Sequence, residues 1–124
     1  MAVREKVAAE GFTITTSKTP EEIRAAGQRA IEAGKRFLTS SIKEGAVAGS
    51  TIQYVVRGPG GLLQWMLINV SWKDGDGGRR VTLAAPKYLT TRQRIMFIPV
   101  TPKRAPALGS LKRFAASLKI DLGS

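Results

Sequence analysis

Lys73, Arg79, Arg80, Lys103 and Arg104 are the side chains of this sequence whose placement most suggests a shared chemistry, the binding of an anion. Each lies beside a predicted strand boundary. In an antiparallel meander the end of one strand, the start of the next and the end of the one after share an edge. The amino-terminal turn of the last predicted helix, whose free N–H groups also attract anions, belongs to that edge. Asp74 and Asp76 lie there too and offset part of the charge, so the five cations form either an anion-binding surface or the solvated rim of a basic protein. The wider balance agrees with their sign: 20 Lys and Arg stand against 9 Asp and Glu, a net charge of +11. Most of that excess belongs to residues 57–124.

Catalysis is hard to assemble from what remains. The chain has no His and no Cys, which removes the proton shuttle of neutral pH, the thiol nucleophile and the soft metal ligands. Its carboxylates fall in the termini, at a helix start, on an exposed helix face or in a turn, where nothing apolar raises their pKa into a useful range. Without His no Ser-based triad can form. Asp74-Gly75-Asp76-Gly77-Gly78 opens like a calcium loop, but Ala85 stands where such a loop needs its glutamate. Gly58-Pro59-Gly60-Gly61 lacks the lysine of a phosphate-binding loop. Both are turns. The residues therefore point to binding rather than catalysis, with no cofactor and no metal.

An apolar partner is the other candidate. Tyr54, Trp65, Phe97, Leu111, Phe114 and Leu118 form either a ligand groove or simply a core. Trp65 and Trp72, seven apart on one strand, point to opposite faces, which weakens a stacking platform for nucleic-acid bases.

These residues must be held by a small set of elements. Residues 12–16 alternate and read as an edge strand. Thr19-Pro20-Glu21-Glu22 is a helix start with Thr19 as cap and Glu22 closing a capping box, and the apolar stripe runs from there to about residue 42. Gly27 and Gly34 within it suggest a close approach to a sheet or two tolerated small residues. Residues 45–49 read as a helix stop. Strands follow at 51–57, 62–72 and 79–85, with Pro86 ending the last or bulging it, then a fourth at 94–100 and a final helix from Pro106. Residues 1–10 and 123–124 read as loose ends. The fold class is one α+β domain over 1–124, mainly antiparallel, in the order β-α-β-β-β-β-α.

That order resembles a reduced version of the helix-grip fold of the START and Bet v 1-like proteins: one strand, a helical excursion, an antiparallel sheet, and a carboxy-terminal helix across it. The resemblance covers most of the chain and rests on element order. It implies a groove for an apolar or amphipathic ligand between the sheet and the last helix.

Three functional expectations follow. The first is a carrier or sensor of an anionic amphiphile or small ligand, its apolar part between sheet and final helix and its charge on the basic edge. The second is a nucleic-acid-binding module using that edge. The third is assembly as a homodimer, because 62–72 is apolar on both faces and only two helices are predicted, leaving open either Met66, Ile68, Val70 and Trp72 or Leu63, Trp65 and Leu67. No signal peptide or membrane-spanning window is read in the sequence, so the expected location is cytoplasmic.

Overall fold

The computed structural model describes residues 3–35, 40–61, 63–90, 94–95, 98–99 and 105–123, with the strand residues 94–95 and 98–99 described by backbone only. Alternation dominates the middle of the chain. Phe12–Thr16 (β1), Ser41–Ala48 (β2), Thr51–Arg57 (β3), Gln64–Gly75 (β4) and Gly78–Tyr88 (β5) form one antiparallel sheet in the order β1-β5-β4-β3-β2. Every second residue points to the same side. Ile52, Tyr54 and Val56 of β3 lie opposite Val70, Ile68 and Met66 of β4, while Val81 and Leu83 of β5 extend the row toward Ile14 and Phe12 of β1. This is the inner face, and the central part of it is buried.

Pro20–Gly34 (α2) and Leu108–Gly123 (α3) cover that face. The start of α2 is as read: Thr19 accepts a hydrogen bond from the Glu22 N–H, and the Glu22 carboxylate accepts one from the Thr19 N–H. Ile23, Ala26, Ala30 and Ile31 of α2 meet Leu111, Phe114, Ala115 and Leu118 of α3 in a single apolar core. Gly27 is the close approach its type suggested. A Cβ there would sit 2.0 Å from the Tyr54 hydroxyl oxygen, so any larger residue displaces either the helix or the ring.

The class, one α+β domain with a mainly antiparallel sheet, is as expected; several elements within it differ. The helix that was to reach residue 42 ends at Gly34, and the supposed stop at 45–49 lies inside or just beyond β2. The reason is non-local. β3 has an edge to cover, and the chain doubles back on it through a tight turn in which Gly49 takes a φ of 59°, a conformation open to glycine. The ladder is interrupted between Glu44 and Val47.

Residues expected to be a loose amino-terminal end form Val3–Glu10 (α1), whose Val7 is buried in the shared core. The strand predicted over 94–100 does not extend the main sheet. Arg94–Ile95 (β6) and Ile98–Pro99 (β7) pair with each other instead. Pro86 produces a bulge rather than an end: β5 continues to Tyr88, with a register shift opposite Leu67 and Asn69. Among the described residues no helix is long and apolar enough to cross a membrane.

Candidate functional site

The face of the sheet away from α2 and α3 is built by the other half of each strand. Val55 and Leu67 are neighbours there, flanked by Lys43 on β2 and Lys87 on β5. Gln53 and Asn69 form the next row. Thr51, Ser71, Thr82 and Thr13 follow as a run of hydroxyls across four strands, and the Thr13 and Thr82 oxygens are 3.1 Å apart. Lys73 and Arg80 then face each other across β4 and β5, with Thr15 beyond Arg80. Arg57 lies at the opposite end of the face, near Trp65 and the turn at 58–61.

All the charged strand residues on this face are cations: Lys43, Arg57, Lys73, Arg80 and Lys87. The carboxylates of the strands turn the other way. Glu44 pairs with Arg24 of α2 at 2.8 Å, and that contact holds the Arg24 guanidinium above its ordinary range. Asp74 pairs with Arg79 at 2.8 Å. The helices carry mixed charge: α1 and α2 together hold Arg4, Lys6, Arg24 and Arg29 against Glu5, Glu10, Glu21, Glu22 and Glu32.

The expected anion site divides accordingly. Arg79 is on the inner side, only part exposed, ion-paired to Asp74 and donating a hydrogen bond to the Lys18 carbonyl, so it holds the hairpin rather than a ligand. Lys73 and Arg80 are both exposed and form a like-charge cross-strand pair, an arrangement that costs stability unless an anion relieves it. They line a cleft of about 310 Å³ at the hairpin end, shared with Thr15, Asp74 and Asp76. Lys103 and Arg104 lie outside the described residues. No cluster able to hold a metal ion occurs among the described residues.

The expected apolar groove does not form from its residues. Tyr54, Leu111, Phe114 and Leu118 are each 0% exposed, with the Tyr54 and Phe114 rings 4.9 Å apart. They are packed core, because four large side chains converge on the space the groove required. Burial pushes the Tyr54 phenol up to about 12, with the Glu44 carboxylate adding to the shift. Trp65, at the bulge of β4, is part-buried against this same core, and Phe97 lies outside the described residues. A separate open cleft of about 590 Å³ runs beside α1, lined by Val7, Phe12, Leu83 and Tyr88 among others, with Arg4 at its wall.

Sequence reading missed Lys43, Arg57 and Lys87 as members of one face. Arg57 was legible, since it alternates with Ile52, Tyr54 and Val56. Lys43 sits in the strand that was read as helix and connector, and Lys87 lies beyond the bulge that resets the alternation. No family model matches this chain, and neither a curated protein nor a solved structure does.

Proposed function

We propose that the protein is a non-enzymatic nucleic-acid-binding domain that receives phosphates on the outer face of its sheet. The observation carrying this reading is the sorting of charge: Lys43, Arg57, Lys73, Arg80 and Lys87 share the one broad face that α2 and α3 leave uncovered, and the strand carboxylate that reaches the hairpin cleft beside them, Asp74, is paired to Arg79. The space between is uncharged, filled by hydroxyls, amides and the apolar pair Val55 and Leu67. Such a surface suits a polyanion whose phosphates position the chain while other groups meet its bases. Self-association through the same face is less favoured, because a two-fold dimer there would bring the five cations toward their own copies.

Salt dependence tests it. Affinity for an oligonucleotide should fall linearly with the logarithm of salt concentration, and Lys73→Gln with Arg80→Gln should reduce that slope by roughly 0.7 to 0.9 for each phosphate no longer neutralised. An unchanged slope would remove the hairpin end from the interface.

The helix-grip resemblance draws support from the position of β1 beside β5 and from two helices on one side of the sheet. Its amphiphile reading has a different basis, the cleft beside α1, where an apolar wall and the Arg4 guanidinium could take a single-chain carboxylate. Dodecanoate should then bind with saturation and dodecanol more weakly; equal binding, or none, ends that reading.

A further inference from the structure

We infer that the nucleic acid this face takes is double-stranded RNA, met across its minor groove, with the sheet's hydroxyls on the 2′-hydroxyls and its cations on the two bordering phosphate strands. This rests on the nucleic-acid reading above and narrows it.

The outer face is laid out in rows that run across the strands. Lys43, Val55, Leu67 and Lys87 form one, with a cation at each end of an apolar pair. Gln53 and Asn69 come next, and then Thr51, Ser71, Thr82 and Thr13, one from each of four adjacent strands. Lys73 and Arg80 close the face at the hairpin. The hydroxyl row spans three strand spacings, roughly 14 Å, and Leu67 to Lys73 covers roughly 20 Å along β4. Cations thus stand at both ends of a broad patch whose centre is uncharged and can both donate and accept hydrogen bonds.

The surface selects a duplex, and then the form of the duplex. Among the described residues no aromatic side chain lies on the outer face, since Trp65, at the β4 bulge, packs against the core and Gly58. An unpaired base has nothing there to stack on. The major groove of B-DNA is read by an inserted helix or two-stranded ribbon, whereas α2 and α3 lie behind this sheet. The minor groove of B-DNA is about 6 Å wide, narrower than the patch. An RNA duplex has a wide, shallow minor groove, so a sheet face can lie across it with phosphates on either side.

The hydrogen-bonding groups agree with that groove. RNA displays there a 2′-hydroxyl on every ribose, donor and acceptor in one, which DNA lacks. The hydroxyls of Thr51, Ser71, Thr82 and Thr13 can meet it in either sense. In the row beside them the side-chain oxygen of Asn69 is sheltered from solvent and has no hydrogen-bond partner among the described residues. A phosphate diester offers only acceptors and cannot relieve it. A 2′-hydroxyl can donate to it once the amide turns outward past Ala84, its small and exposed register partner on β5.

Affinities at one salt concentration test the inference. The unaltered protein is titrated with an RNA duplex of about 16 base pairs, the DNA duplex of the same sequence, the 2′-O-methylated RNA duplex and the single-stranded RNA, with inorganic polyphosphate as a competitor. The RNA duplex should bind at least about tenfold tighter than the DNA duplex or the single strand. Methylation keeps the helix form and the phosphates but removes the hydroxyl donors, and it should abolish most of that advantage. Ser71→Ala combined with Thr82→Val should bring the RNA and DNA duplexes to within about threefold of each other and leave the affinity for polyphosphate unchanged. If the RNA and DNA duplexes bind the unaltered protein alike, the inference fails while a polyanion-binding face stands. A single strand bound more tightly than the duplex, or a methylated duplex bound as tightly as the unmodified one, overturns it too and leaves the nucleic-acid reading intact. If none of these ligands binds the folded protein, both fail. The comparison among duplexes uses the unaltered protein, so it decides even if the double variant does not fold.

Discussion

Tyr54 shows how one side chain can be legible in position and not in consequence. Its alternation with Ile52 and Val56 puts it on the inner face, and the glycine at 27 signals a close approach. Neither reveals that the hydroxyl meets Gly27 without a hydrogen-bond partner among the described residues. The phenol titrates near 10 in an unfolded chain and holds its proton to about 12 when folded. Between those values the folded state binds more protons, so stability falls as pH rises through that window. Tyr54→Phe should remove this share of the alkaline loss. It should cost little at neutral pH, because no internal hydrogen bond is given up. Urea midpoints of the two proteins at neutral pH and between pH 10 and 12 check this; parallel losses in both would show that the phenol does not contribute.

At the scale of elements, the features carried by neighbouring residues were readable and those carried by pairing were not. The capping box at Thr19 and Glu22 needs only four consecutive residues, and it forms as read. Thr19→Ala should therefore lower stability by about 1 kcal/mol, seen as a reduced denaturation midpoint, while oligonucleotide affinity stays the same because α2 lies behind the sheet. A change in affinity without a change in stability would contradict the placement of α2. β2 was invisible for the opposite reason. Gly45, Ala46 and Ala48 are poor strand formers, and pairing with β3 on either side of the break at 45–46 is what holds the segment as a strand. α1 is similar, a helix of about two turns with no clear apolar stripe, anchored mainly by Val7. In 94–100 apolar residues on both faces suggested one further strand, yet Arg94 pairs with Pro99 and Ile95 with Ile98 in a ladder of their own.

For the whole molecule, the excess of positive charge was plain from composition, whereas the face that carries it was not. Side-chain parity along a strand tells inside from outside only while the register holds, and it shifts between Val56 and Arg57 and again opposite Leu67 and Asn69. Each shift moves the downstream residues relative to their neighbours. That is why Lys87 joins Lys43 and Arg57 around one patch, and why a basic edge at the hairpin was all that the linear pattern suggested.

Gathering on a polymer puts edge strands at risk. On the nucleic-acid reading proposed above, copies bound along one polyanion would be brought to high local concentration, and an open strand edge would then be an invitation to polymerise. β2 is such an edge, exposed from Gly45 onward, with Val47 about half exposed. The break in its ladder between Glu44 and Val47 bends the strand and spoils the regular row of donors and acceptors a second chain would need. Crowding on such a template would then proceed without the copies knitting together into fibres.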